Sequence, residues 1–70
     1  MKIKSRIEAI KLMASGQIKK GTSFYTNTGL LEVVSVDVNS PLCLTLVDIF
    51  DPEDRHFWTL GDMIGKEFYL

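Results

Sequence analysis

The chain has 70 residues, of which 46% are hydrophobic and 24% charged, so it is long enough for one small domain and too apolar for a disordered segment. No stretch approaches the ~20 apolar residues of a membrane span, and the first residues do not form a signal-peptide core, which predicts a cytoplasmic protein. One cysteine, Cys43, and one histidine, His56, exclude an internal disulfide and a structural zinc site.

The net charge of -1 hides an uneven distribution of charge along the chain. Residues 1–20 contain six lysine or arginine residues and one glutamate, whereas residues 21–70 contain two basic and eight acidic residues. The protein therefore has a basic end and an acidic body. The acidic body argues against direct binding to DNA or RNA, because it would repel the phosphate backbone.

The first predicted element is a helix over residues 6–15. Ser5 and Glu8 have the spacing of a capping box, in which the Ser5 side chain accepts from the Glu8 amide and the Glu8 carboxylate bonds back to the Ser5 amide. Gly16 stands where a left-handed C-cap belongs. The residues expected to form the buried stripe recur at the helical period and are Ile3, Ile7, Ile10 and Ala14, widened by Leu12 and Met13.

Three strands are predicted next. The segment TSFYT favours a strand, and Asn27-Thr28-Gly29 favours a hairpin turn. Residues 30–38 form the second predicted strand, with Val34, Val36 and Val38 on one face. Residues 42–50 form the third, with Leu42, Leu44 and Leu46 on one face and Cys43, Val47 and Ile49 on the other. Because both of its faces look covered, we expect the third strand to be central in the sheet.

The acidic segment that follows predicts a helical turn. Asp51-Pro52-Glu53-Asp54 combines an N-cap, a proline at the first helical position and two acids, and a strand is expected near residues 56–58. Thr59 is expected to cap a second turn over residues 60–64 that Gly65 ends. Residues 66–70 should form the last strand, with Phe68 and Leu70 on one side and Tyr69 on the other.

These elements together predict a single domain over residues 1–70 of the α+β class. In this fold an N-terminal helix packs on a small antiparallel β-meander, an SH3-like sheet of four to five strands, with short helical turns before the last strand. The high apolar content of so short a chain also predicts contact between copies in a homo-oligomer.

Residues that could support catalysis are sparse. A cluster of Asp48, Asp51, Glu53, Asp54 and His56 could attract a hard cation, but helix capping explains the DPED segment and a glycine-centred calcium loop is lacking. Cys43 lies in an apolar strand, and GQIKKG lacks the spacing of a phosphate-binding loop. We therefore predict a binding protein rather than an enzyme, with no catalytic residue, metal site or cofactor.

The candidate ligand site follows the first helix. Lys19 and Lys20 supply ammonium groups, Thr22 and Ser23 supply hydroxyl donors, and Gly21 leaves the backbone amides accessible, a combination that suits a phosphate. Tyr25 could stack on a nucleotide base. The alternative interpretation is that two lysines in a connector only keep a small protein soluble.

A second candidate surface is acidic. Asp48, Asp51, Glu53 and Asp54 could imitate nucleic acid and occupy the groove of a host nuclease or regulator. The alternative is that they form an ordinary solvated loop.

Two segments resemble a known group of proteins. IEAIKLMASGQIKKGTSF is similar to the opening, and FWTLGDMIGKEFYL to the close, of small phage and prophage proteins, including the anti-defence family that sequesters the cyclic ADP-ribose-type messenger of Thoeris immunity. Lys19, Lys20 and Phe24 stand where that family usually has an arginine pair and a tryptophan, which leaves the ligand open. The resemblance implies a helix-plus-meander fold, symmetric oligomers and a role against bacterial immunity by direct binding.

Three hypotheses for function remain. The first is a phage-type protein that acts in the cytoplasm of a bacterial host by sequestering a phosphorylated nucleotide signal. The second is an inhibitor of a host immune protein, such as a CRISPR nuclease, through the acidic residues 48–54. The third is a structural or regulatory interaction domain with no role in immunity.

Overall fold

In the computed structural model, which describes residues 1–27 and 29–69, a helix leads into a five-stranded antiparallel sheet. The elements in chain order are α1 (Arg6–Ala14), β1 (Ser23–Thr26), β2 (Gly29–Val36), β3 (Leu44–Asp48), β4 (Asp51–Trp58), α2 (Leu60–Met63) and β5 (Glu67–Tyr69). The strand order is β4-β3-β2-β1-β5, so four strands form a meander and β5 returns to pair with β1. This arrangement confirms the predicted α+β fold, with an N-terminal helix, a small antiparallel sheet and a short helix before the last strand.

Helix α1 begins and ends as its capping residues predict. The Ser5 hydroxyl accepts a hydrogen bond from the Glu8 amide at 3.1 Å. The Glu8 carboxylate accepts from the Lys4 amide, also at 3.1 Å, one residue earlier than the Ser5 amide that the capping box predicts. Beyond the helix, Gly16 has a φ of +77°, the left-handed conformation that closes a helix C-terminus.

The buried face of α1 differs from the predicted stripe. Ala9, Leu12 and Met13 face the core, whereas 66% of Ile7 and 39% of Ile10 are exposed. Ala14 is also exposed. The prediction is therefore correct for Ile3, Leu12 and Met13, which are buried, and wrong for Ile7, Ile10 and Ala14. The helix carries apolar residues on both faces, so periodicity alone does not decide which face is buried.

The core lies between α1 and one face of the sheet, where three aromatic rings form its centre. Phe24 lies edge-on to Trp58 at 5.1 Å between ring centroids, and its centroid lies 5.7 Å from that of Phe68. The Lys66 ammonium group lies 5.3 Å from the centroid of Trp58, within the range of a cation–π contact. These rings join β1, β4 and β5, so the two edge strands are bound to an interior strand by side-chain packing.

The central strand is β2, which corrects the expectation that residues 42–50 would be central. Leu44 and Leu46 of β3 face the core, and Cys43 just before the strand is buried as well. Leu42 and Ile49, which flank the strand, are exposed, so neither predicted face of residues 42–50 is covered along its whole length. Val34, Val36 and Val38, which were predicted to share a face, line one groove, but the fully buried residues of β2 are others. Leu31 and Val33 are the buried residues of β2, and an irregularity between Val33 and Ser35 shifts the alternation so that Val36 packs against the core.

The segment DPED is not helical, which corrects another prediction. It belongs to β4, and the register passes from Asp48 opposite Asp51 to Val47 opposite Arg55, so residues 52–54 form a bulge. Strand β4 lies at the edge of the sheet, where a proline removes no ladder hydrogen bond. Pairing with β3 in the hairpin at the edge of the sheet therefore prevails over the local capping pattern.

The C-terminal elements follow the sequence closely. The Thr59 hydroxyl accepts from the Asp62 amide, and the Asp62 carboxylate accepts from the Thr59 amide, which gives α2 a complete capping box. Strand β5 then buries Phe68 and exposes Tyr69 as predicted, while Leu70 and Thr28 lie outside the described residues. Ile3 exchanges hydrogen bonds with the backbone of residues 65 and 66, so the N-terminal segment borders β5.

Candidate functional site

The two adjacent lysines lie on a tight turn between α1 and β1. The Lys19 carbonyl accepts from the Thr22 amide at 3.0 Å, and Gly21 has a φ of +97°, as the third residue of a type II turn requires. The Gly21 amide donates to the Val33 carbonyl at 2.8 Å, and the Val33 amide donates to the Thr22 carbonyl at 2.9 Å. The turn is thereby fastened to the central strand, and its two lysine side chains are exposed.

Thr22 holds this turn from inside. Its side chain is only 2% exposed, and its hydroxyl accepts from the Lys19 amide at 3.0 Å. The same hydroxyl donates to the Gln17 carbonyl at 3.5 Å, the long limit of a hydrogen bond. The hydroxyl that we expected to donate to a ligand is thus bonded within the protein, and Thr22 is placed to position Lys19.

A groove lies beside the turn, with a volume of about 610 Å³. Its walls come from the end of α1, the connector after it and the second half of β2. The residues that line it are Met13, Ala14, Gly16, Ile18, Lys19, Lys20, Val34, Ser35, Val36 and Val38. The groove is therefore lined by aliphatic residues and by the two lysines of the turn, with polar and apolar surface in about equal parts.

The other two residues of the predicted ligand set lie elsewhere. Ser23 and Tyr25 are on β1, where Phe24 between them faces the core, so both point to the outer face of the sheet. The Tyr25 ring packs edge-on against Tyr69 at 5.3 Å. Tyr25 also borders a smaller hollow of about 380 Å³ with Lys66. The structure brings Lys19 and Lys20 together and separates them from Tyr25.

The side chains around the groove have the chemistry expected of a site for an amphiphilic anion. Lysine ammonium groups are mobile point charges that donate to phosphate or carboxylate oxygens, and an aliphatic wall accepts a ring or sugar face by burial of apolar area. Lys11 lies in the last turn of α1 and adds a third positive charge near this end of the helix. Val34, Val36 and Val38 were not among the predicted site residues, because the irregularity in β2 that places them beside the turn depends on pairing with β3.

The acidic candidate residues gather at the β3–β4 hairpin. The Asp48 carboxylate accepts from the Phe50 amide at 2.8 Å, and the Asp51 carboxylate accepts from the Glu53 amide at 3.2 Å. Asp54 lies 3.3 Å from Nε2 of His56. These contacts give the hairpin a defined conformation with its acidic groups towards solvent, in place of the predicted helical turn.

The thiol of Cys43 and the imidazole of His56 are packed within the fold rather than arranged for catalysis. Cys43 is buried, and its thiol donates to the Ser40 carbonyl at 3.1 Å. Nε2 of His56 is shielded from solvent, and its contact with Asp54 lacks hydrogen-bond geometry. His56 pairs with Leu46 in the sheet register, so the ring covers the margin of the core.

The residues that the structure describes also bear on metals and membranes. Within residues 1–27 and 29–69, no three His, Cys, Asp or Glu side chains are grouped to hold a metal ion. Over the same residues, neither helix has the length and apolar character needed to cross a bilayer.

Comparison of the chain with protein-family models, curated proteins and solved structures finds no match.

Proposed function

We propose that this chain is a non-enzymatic binding protein that takes up a phosphorylated nucleotide and removes it from solution. The observation that carries the proposal is the pair of exposed lysines, Lys19 and Lys20, on a fastened turn beside a groove lined in part by aliphatic residues. The ammonium groups would bind phosphate oxygens, while Val34, Val36 and Val38 would contact the ribose and base. Tyr25, on the outer face of the sheet, has no part in this arrangement.

The biological setting of the proposal comes from the resemblance of the two chain ends to phage anti-defence proteins. In that setting the protein would act in the cytoplasm of a bacterial host and withdraw a nucleotide messenger of the immune response. Sequestration requires only binding and a sufficient amount of protein, which agrees with a small domain that lacks a recognisable catalytic constellation in its sequence.

The test is a titration of the ¹⁵N-labelled protein with ADP-ribose, ADP and a cyclic dinucleotide, followed by amide chemical shifts. Binding in the groove predicts shifts at residues 19–22 and 34–38, with smaller changes in β4. Adenosine is the matched ligand control, because it retains the base and ribose but has no phosphate. A nucleotide that shifts the amides of Tyr25 and Tyr69 instead would contradict the proposed site.

Variants separate the site from the general charge of the protein. The double substitution Lys19→Glu and Lys20→Glu should abolish binding and leave the melting temperature nearly unchanged, since both side chains are exposed. Lys2→Glu with Lys4→Glu makes the same change of charge away from the groove and should retain binding. Equal affinity of both double variants would overturn the proposal.

A second candidate is inhibition of a host immune protein through the acidic hairpin. The observation in its favour is that Asp51, Glu53 and Asp54 are exposed on the edge strand β4, with the half-buried Asp48 beside them at the end of β3. Charge reversal at Asp51, Glu53 and Asp54 should then prevent capture of the host protein, and high salt should weaken it. Capture that survives both changes would contradict this candidate.

A further inference from the structure

One face of α1 is an exposed apolar stripe bordered by positive charge. Ile7, Ile10 and Ala14 are exposed and share this face at the helical spacing of three and four residues. With 3.6 residues per turn, Arg6 and Lys11 fall on opposite sides of Ile7 and Ile10. Arg6 and Lys11 are also exposed, so the stripe has a basic border on both sides.

The tip of the β3–β4 hairpin, like the stripe on α1, exposes apolar side chains bordered by charge, but here the charge is negative. Phe50 is 85% exposed, and the adjacent Ile49 is 40% exposed. Asp48 and Asp51 flank these two residues, and the Asp48 carboxylate fixes the turn through the Phe50 amide at 2.8 Å. A rigid tip that presents an aromatic side chain between two acids has the character of an interface anchor.

We propose that the hairpin tip of one copy of this chain docks on α1 of a second copy. Phe50 and Ile49 would lie across Ile7 and Ile10, and the carboxylates beside the tip would face Arg6 and Lys11. Both surfaces belong to the same chain and match in apolar character and in charge, which favours a second copy over an unrelated partner.

The two surfaces differ, so the contact is head-to-tail. A pair joined by one such contact still presents one free tip and one free helix face, and assembly continues until a ring closes, which two copies achieve if each docks its tip on the helix of the other, or until a chain of subunits grows. Because each contact rests on a few side chains, association should depend on protein concentration and weaken with added salt. The stripe adjoins the nucleotide site, since Ala14 also lines the groove, but Ile7 and Phe50, on which the contact depends, are not among the groove-lining residues, so the two proposals can be tested separately.

The test is sedimentation of the purified chain over a wide range of concentration, at low and high salt. The wild-type protein should form oligomers that dissociate as salt rises. Phe50→Ser removes the tip anchor, and Ile7→Ser removes the centre of the stripe, so each variant should be monomeric. Both residues are exposed, and thermal melting of each variant verifies that the fold is retained.

Mixing the two variants gives the sharpest result. Phe50→Ser retains an intact helix face and Ile7→Ser retains an intact tip, so an equimolar mixture should form a 1:1 dimer that does not grow. A mixture that stays monomeric would overturn the head-to-tail contact. A wild-type protein that stays monomeric at all concentrations would overturn self-association. The same holds if the tip binds only a foreign protein and never a second copy of this chain.

Phe57→Ser is the matched control, because Phe57 is an exposed aromatic residue on the face of β4 that points away from the core, at a distance from the hairpin tip. This variant should form oligomers like the wild-type protein. If Phe57→Ser abolishes the oligomer while Phe50→Ser does not, the outer face of the sheet is the interface and the proposal fails.

Discussion

Thr22→Val tests whether a buried hydroxyl organises the lysine turn. Valine has nearly the shape of threonine, so the packing around this residue is retained while the hydroxyl is lost. The Lys19 amide then loses its acceptor at 3.0 Å, and the Gln17 carbonyl loses a weaker donor at 3.5 Å. The substitution therefore isolates the hydrogen bonds from the hydrophobic contacts.

The expected loss of stability follows from these two bonds. A neutral hydrogen bond contributes about 1 kcal/mol net, and a buried amide left without a partner costs about 1–3 kcal/mol. Lys19 itself is exposed, so water can partly replace the missing acceptor, and we expect a loss of about 1–2 kcal/mol. For a domain of this size that corresponds to a fall in melting temperature of roughly 5–15 °C.

Urea denaturation followed by tryptophan fluorescence measures this change, because Trp58 is the sole tryptophan of the chain and is buried. Thr45→Val is the matched control: Thr45 is half-buried on the outer face of β3, and valine suits a strand, so its effect should stay within about 0.5 kcal/mol. If Thr22→Val also changes stability by less than about 0.5 kcal/mol, the hydroxyl does not hold the turn and the reasoning is refuted.

Three further substitutions test the turn and the caps. Gly21→Ala places a side chain at a φ of +97° and should cost about 1 kcal/mol in chemical denaturation; a neutral result would contradict the type II turn. Gly61→Ala lies in α2 at an ordinary φ, where its Cβ would meet the flexible end of Arg6 at 3.3 Å and the Thr59 hydroxyl at an ordinary contact distance of 3.7 Å, so the same assay should show a gain of up to about 1 kcal/mol. The pKa of Asp62 is lowered by hydrogen bonds from the backbone and hydroxyl of Thr59 and by the charge of Lys66. The stability that the ionised Asp62 contributes is therefore present above about pH 4 and is lost as the pH falls through the folded-state pKa. Asp62→Asn should therefore lose less stability on acidification than the wild-type protein, and parallel acid-unfolding curves would refute this assignment.

Local signals in the sequence predict the ends of elements well. Ser5, Gly16 and Thr59 act through bonds to residues at most a few positions away, so their roles can be inferred without knowledge of the fold. The hairpin between β1 and β2 is similarly local, although Gly29, which was predicted to lie in the turn, is already the first residue of β2 and pairs with Thr26. Caps and tight turns depend on short-range chemistry that the order of residues already contains.

Which face of a helix is buried, and which position a strand takes in the sheet, are harder to predict from the sequence. Helix α1 offers two apolar faces, and the sheet that selects Leu12 over Ile7 is made by distant residues. Pro52 suits a helix start and an edge strand equally, and only the place of β4 in the sheet decides between them. The candidate site shows the same division, since the two lysines are adjacent in sequence whereas the groove wall depends on the irregular pairing of β2 with β3.

The pairing of residues 1–3 with the segment around β5 also matters while the protein is being made. The N-terminal segment and β1 leave the ribosome before residues 65–69 are available to pair with them. Until then, Ile3 and Phe24 in the nascent chain lack the neighbours that they have in the folded protein. The apolar face of the meander is exposed during this interval, when chaperones and neighbouring nascent chains can reach it. Substitutions in β5 should consequently reduce the yield of soluble protein in cells more than their effect on the purified domain would suggest.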